Sequence, residues 1–169
     1  MEGKNFNLKV EKTPYLRGKI QAPPSKSYTI RAILCASLNG KLKILNPLFA
    51  EDTIAAMNAL RKLGAAIKKG KDFLELRGFG GVPSLRSGCI DAGESGTLLR
   101  MLLPIAALGK GKYLLNGKGT LLKRPNRPIA EALLSLGVAL RVKDSEFRLP
   151  IKIDGKGYIS GGEVSASAG

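Results

Sequence analysis

Apolar positions along the chain follow two rhythms. Over residues 27–38 they recur at helical spacing, with Ile30, Ile33 and Leu34 on one face, and over residues 52–63 Ile54, Met57, Leu60 and Leu63 do the same. Each pattern predicts a helix with one face in a core. Short β-branched or apolar runs at residues 17–21, 41–45, 66–69 and 73–76 read as strands around them. The same order then returns. A strand ending near Ile90 leads to a helix over 97–108, a strand over 113–116, a helix over 128–136, and strands over 139–142 and 146–149.

Two passages match closely enough to fix the alignment of the halves. Leu60-Arg-Lys-Leu-Gly-Ala-Ala-Ile67 reappears as Leu133-Leu-Ser-Leu-Gly-Val-Ala-Leu140: a last helical turn, a glycine suited to the left-handed cap, then a strand. The chain thus predicts an α/β (α+β) fold within one domain, built from two βαβαββ units at about 15–78 and 86–149. Pro104 is expected to kink its helix or end it early, because it lacks a backbone donor. After Pro150 the pattern restarts, with strands expected at 151–154 and 157–159, so a third unit is read as beginning there and breaking off at Ser165-Ala-Ser-Ala-Gly169.

Upstream of each matching passage lies a small polar loop that opens an apolar helix and sets an arginine about one turn inside it. Ser25-Lys26-Ser27-Tyr28-Thr29-Ile30-Arg31 is the first copy and Glu94-Ser95-Gly96-Thr97-Leu98-Leu99-Arg100 the second, aligned here so that Ser27 matches Gly96 and Arg31 matches Arg100. A helix start leaves backbone N–H groups unpaired and carries partial positive charge, so it suits phosphate or carboxylate. In the first copy Lys26 adds a mobile point charge, Ser27 a hydroxyl and the expected N-cap, and Arg31 a planar fork for an oxyanion. In the second, Gly96 lets a ligand approach the backbone. Glu94 suits the helix dipole but repels an anion, unless it holds a neighbouring cation. Lys123-Arg124-Pro125-Asn126-Arg127-Pro128 is a third basic feature, stiffened by its prolines. Residue by residue the first stretch fits a capped helix with solvated cations, but the stiff Pro23-Pro24 entry, the cap and the apolar face of Ile30, Ile33 and Leu34 together favour a site. The other two fit a plain turn or a solvated charge run equally well.

Composition narrows the chemistry. With 28 Lys and Arg against 13 Asp and Glu the formal charge is +15, which points to anionic partners or to solubility alone. There is no histidine. Cys35 and Cys89 lie too far apart for a metal or redox pair and read as reduced core residues, so metal hydrolysis and Ser-His-Asp chemistry have no support. Neither a P-loop nor a Gly-x-Gly-x-x-Gly sequence occurs. The longest apolar run, 101–108, falls far short of the ~18 residues a membrane span needs. No signal-like stretch opens the chain, so a cytoplasmic protein without membrane contact is expected. A nucleic-acid module would use the charge, yet aromatics make up only 5% of residues and none interleaves with the basic runs.

The wording of these motifs resembles a known family. Pro24-Ser-Lys-Ser-Tyr-Thr-Ile-Arg-Ala32 is similar to the Ser-Lys-Ser-x-x-x-Arg-Ala signature of EPSP synthases. Gly93-Glu-Ser-Gly-Thr-Leu-Leu-Arg100 resembles their Asn-Ala-Gly-Thr-x-x-Arg segment, and Arg124-Pro125 their Arg-Pro element. Gly161-Gly-Glu-Val164 is similar to the segment that leads to their Ser-Ser-Gln motif. The resemblance implies the inside-out α/β barrel domain of the enolpyruvyl transferases. It also implies transfer of the enolpyruvyl group of phosphoenolpyruvate to the 5-hydroxyl of shikimate 3-phosphate, with release of phosphate and no cofactor or metal.

By position, Lys26 is the implied catalytic residue and touches both substrates, Ser27 and Arg31 hold shikimate 3-phosphate, and Gly96 and Arg124 help bind phosphoenolpyruvate. Glu94, Thr97 and Arg100 are further candidates. Glu94 stands where many members have Asn, which leaves that contact out of the main set. The resemblance further implies a partial N-terminal domain, inactive alone, whose C-terminal partner domain supplies the acid and base, and a full-length monomer. UDP-N-acetylglucosamine 1-carboxyvinyltransferase and RNA 3'-terminal phosphate cyclase share the repeated architecture. The first has Lys-Asn where this chain has Lys26-Ser27, which favours the shikimate substrate.

Overall fold

Helices and strands alternate along the chain in a computed structural model that describes residues 8–84 and 87–165. Helix α1 covers Lys26–Leu38, strand β1 Lys41–Leu45, helix α2 Glu51–Lys62, strand β2 Ala66–Lys69 and strand β3 Phe73–Arg77. The second half has β4 at Ser87–Asp91, α3 at Gly96–Ala107, β5 at Lys110–Asn116, α4 at Arg127–Ser135, β6 at Ala139–Arg141 and β7 at Ile151–Lys156. All four helices lie within one residue of their expected ends. For α2 and α4 the stops are explicit: the glycines that follow them take positive φ, +111° at Gly64 and +78° at Gly137. Each stop is closed by the same pair of bonds, from Ala65 N to Leu60 O and Gly64 N to Arg61 O, and from Val138 N to Leu133 O and Gly137 N to Leu134 O. Such a paired cap satisfies carbonyls that the helix end would otherwise leave open.

The strands form two sheets, ordered β1-β3-β2 and β4-β5-β7-β6. In the first sheet β3 runs antiparallel to both neighbours. In the second β4 is parallel to β5, while β7 lies antiparallel between β5 and β6. One face of each sheet packs on the helices. Ile30, Ile33 and Leu34 of α1, Met57 and Leu60 of α2, and Leu98, Leu99, Leu102 and Leu103 of α3 meet Leu74, Leu76, Ile90, Tyr113, Leu115, Ile151 and Ile153, all of them buried. Cations stand on the opposite, exposed faces: Lys41, Lys43, Lys68 and Arg77 on the first sheet, Lys110, Lys112, Arg141, Lys152 and Lys156 on the second. Much of the excess charge is therefore a solvated sheet surface, where Glu75 sits 3.9 Å from both Lys43 and Lys68.

Several expectations are corrected. The strand expected at 146–149 does not form. Asp144 Oδ1 accepts hydrogen bonds from the amides of Glu146 (2.9 Å) and Arg148 (3.4 Å), and Phe147 turns to a φ of +53°, so the backbone closes on itself instead of offering a ladder. The ladder begins beyond Pro150 with β7. The run 151–154, expected to open a third unit, is thus an inner strand of the second sheet, lying between β5 and β6 as β3 lies between β1 and β2. Gly157, at a φ of +91°, follows its end, and no strand forms at 157–159.

No strand forms at 17–21 either. Leu16 and Ile20 are 90% and 96% exposed. The segment precedes α1 as β4 precedes α3, but pairing with β1 as β4 pairs with β5 would set Arg17 and Lys19 beside Lys41 and Lys43, and like charges across a strand pair disfavour pairing. Helix α3 continues three residues past Pro104. Cys35 and Cys89, expected in the core, are both exposed. The expected unit boundary at 86, the first seven residues and the last four lie outside the described residues.

Candidate anion-binding site

The starts of α1 and α3 are built alike, and the caps fix how they correspond. Ser25, not Ser27, caps α1: its Oγ accepts from Tyr28 N at 3.3 Å. Ser95 caps α3 by accepting from Leu98 N at 3.4 Å, and is itself buried. Ser25 therefore matches Ser95, which moves the earlier alignment by one residue. Arg31 lies six residues after its cap and Arg100 five after its own. One residue turns a helix by about 100°, so the two arginines leave their helices in different directions.

A hollow of about 360 Å³ lies between these helix starts, lined by Lys26, Asp52, Glu94, Ser95, Gly96, Thr97, Arg100, Thr120 and Arg124. It brings together six of the eight residues expected at the site: Lys26, Glu94, Gly96, Thr97, Arg100 and Arg124. Ser27, half-buried on the first turn of α1, and Arg31, exposed one turn further, lie outside its lining. Larger depressions of about 580 and 500 Å³ sit on the two sheets, around Lys43 and Lys112. They are open sheet faces whose cations stand beside no helix start, whereas the hollow between the helices gathers three cations at the N-terminus of α3.

Each cation is tethered. The ammonium of Lys26 pairs with Asp52 at 2.9 Å, with Asp52 mostly covered at the start of α2. The Arg124 guanidinium donates to Thr120 Oγ1 at 3.3 Å, and Arg100 donates to the Pro125 carbonyl at 3.4 Å. Gly96 keeps the wall open, because a Cβ there would stand 3.3 Å from the Arg124 guanidinium. Glu94 is exposed and makes no ion pair among the described residues, so the expectation that it holds a cation is not met. Its carboxylate lies instead against Gly119, where a Cβ would come within 2.5 Å of it.

Sequence reasoning passed over Asp52, Ser95, Thr120 and Asn126. Asp52 reads as an ordinary acid in a first helical turn, a place where the helix dipole already explains it. Only Ser95, at the position equivalent to Ser25, carried a readable signal. Among the described residues no group of three or more His, Cys, Asp or Glu side chains is placed to hold a metal ion.

Comparison with known proteins gives this arrangement its context. The family model for EPSP synthase (3-phosphoshikimate 1-carboxyvinyltransferase) matches residues 10–168. The chain belongs to the EPSP synthase family. A 3-phosphoshikimate 1-carboxyvinyltransferase of Pyrococcus abyssi is 42% identical over 149 residues, covering 86% of this chain and 33% of that protein. The corresponding protein of Methanosarcina mazei is 41% identical over 152 residues, 90% of this chain and 35% of its own length. Among solved structures, the EPSP synthase from Acinetobacter baumannii superposes with a TM-score of 0.73 at 28% identity, covering 82% of this chain and 32% of that one. The chain thus spans about a third of the length of the EPSP synthases it matches. These matches favour the shikimate enzyme over the UDP-N-acetylglucosamine transferase and RNA cyclase readings.

Proposed function

We propose that the chain forms the anion-gripping wall of an enzyme that transfers the enolpyruvyl group of phosphoenolpyruvate to shikimate 3-phosphate. The observation that carries this is the single hollow where Lys26, Arg100 and Arg124 meet the N-terminus of α3. In the proposed reaction the 5-hydroxyl of shikimate 3-phosphate adds to C2 of phosphoenolpyruvate, its methylene carbon takes a proton, and the tetrahedral intermediate then loses phosphate. Lys26 and Arg124 neutralise the phosphoenolpyruvate anion, and the Gly96 backbone lets it approach the free amides of α3. Asp52 holds Lys26 over the hollow without covering it.

Ser27 and Arg31 are four residues apart and share one face of α1, so shikimate 3-phosphate reaching out of the hollow along that face would meet both. We assign the acid and base to the part of the relatives that this chain does not match, and place the whole enzyme in the cytoplasm as a monomer. No helix of the described residues is long and apolar enough to cross a membrane.

Calorimetric titration with phosphoenolpyruvate and shikimate 3-phosphate tests the reading. Charge-assisted hydrogen bonds contribute about 1.5–3 kcal/mol, so Lys26→Ala and Arg124→Ala should each weaken phosphoenolpyruvate binding roughly 10- to 100-fold with an unchanged circular dichroism spectrum. Joined to the rest of a relative, the wild-type chain should support turnover and the Lys26→Ala variant should not. Product formed by the 169-residue chain alone, or wild-type affinity in both variants, would contradict the assignment.

A further inference from the structure

Asn126 stands at the N-cap position of α4, yet its side chain makes no capping bond. It is 1% exposed and turns the other way. Its Nδ2 donates to the Arg124 carbonyl at 3.1 Å and to the Phe147 carbonyl at 3.0 Å, while Oδ1 is buried without a partner. Both atoms facing Nδ2 are acceptors, which fixes the amide with its NH₂ end inward. An asparagine that gives up capping and leaves its oxygen unused is kept there for its two donors.

What those donors hold is the backbone on either side of Pro125. The Asn126 amide donates to the Glu146 carbonyl at 3.0 Å, and Arg148 Nε donates to the Lys123 carbonyl at 3.2 Å. The segment that carries Arg124 is therefore fastened at three places to the turn 144–148, which Asp144 closes through the amides of Glu146 and Arg148. Arg124 itself is exposed, with a long hydroxyl contact as its side-chain tether. A side chain so loosely held takes its direction from its Cα, and its Cα takes its position from the clamp.

We propose that Asn126 is a positioning residue: its buried amide ties the Arg124 backbone to the turn 144–148 and so sets where the guanidinium enters the hollow. This rests on the reading of the hollow as an anion site. Asparagine fits the role where the other short polar residues do not. Serine offers one donor, and aspartate, equal in size, would set oxygen against two carbonyl oxygens.

The test uses the 169-residue chain, titrated with phosphoenolpyruvate. Asn126→Ala and the isosteric Asn126→Asp should each weaken binding roughly tenfold, and neither should weaken it further in an Arg124→Ala background. Asp144→Ala, which loosens the turn from a distance, should shift affinity in the same direction and serves if the Asn126 variants fail to fold. A second readout needs no ligand: amide relaxation of Arg124, measured by nuclear magnetic resonance, should show greater mobility in all three variants. Wild-type affinity in the variants, or an equal loss with Arg124 already removed, would overturn the proposal. If the wild-type chain bound no phosphoenolpyruvate but Arg124 still loosened, the anion-site reading would fall and the positioning role would stand. Unchanged Arg124 relaxation would end the positioning role whatever the ligand does.

Discussion

Glu94 is a carboxylate at the rim of a hollow that otherwise gathers cations, and its removal should strengthen anion binding. Taken as a sphere, the hollow of about 360 Å³ has a radius of roughly 4 Å, the distance at which two unit charges interact by about 1 kcal/mol in water and about 4 kcal/mol at the effective dielectric of a protein surface. Glu94 is exposed, so the aqueous end of that range applies, and salt weakens it further. A phosphorylated carboxylate carries more than one charge, which brings the repulsion to about 1–2 kcal/mol, or roughly a 5- to 30-fold gain in affinity for Glu94→Gln. The substitution keeps the side chain's volume against Gly119. Calorimetry with phosphoenolpyruvate at low ionic strength reads the effect, and repeating it in high salt should shrink the gain. Equal or weaker binding by the variant would refute the electrostatic argument and give Glu94 a hydrogen-bonding role instead.

Two further outcomes test the fold beneath the site. Ile153 is wholly buried on β7, so Ile153→Ala should lower stability by about 2–5 kcal/mol in urea unfolding, against about 0.5 kcal/mol or less for Tyr158→Ala just beyond the strand. Equal small losses would mean that β7 is not an inner strand of its sheet. Burial pushes the Tyr113 phenol above its ordinary value near 10. The unfolded chain then loses that proton first, so the contribution is intact below pH about 10 and fades as pH rises through the folded value. Tyr113→Phe should flatten the fall in the urea midpoint above pH 10, and an unchanged fall would remove Tyr113 as its source.

The helices were legible because each carries an apolar stripe and a local end signal: a capping serine before α1 and α3, a glycine of positive φ just after α2 and α4. The strands were legible only where local pattern and pairing agree. Glu146–Leu149 reads as a strand by composition, but Asp144, two residues earlier, takes the amides that pairing would use. The segment 17–21 shows the converse, a strand pattern that finds no neighbour among the described residues. Cys35 and Cys89 misled for a related reason, since average burial says little about a residue on the outward face of a helix or strand.

The site was legible as a set of cations and illegible as a geometry. Aligning Arg31 with Arg100 by residue type placed both in one cleft, whereas the caps show a difference of one residue, enough to turn Arg31 out of the hollow and Arg100 into it. Helix starts are compared soundly by the residue that accepts the first free amides, because that bond fixes the rotation of every side chain after it. The same reasoning explains why Asp52 and Asn126 went unread. Each has a sufficient local explanation in sequence, an acid in a first turn and an asparagine before a helix, yet each bonds to a partner that chain order does not announce. Lys26 precedes Asp52 by half the first repeat, and Phe147 follows Asn126 across a helix and a strand. Side chains that bind anions can be guessed from their charge, but the groups that aim them are neutral or opposite in charge and become visible only when the backbone has folded around them.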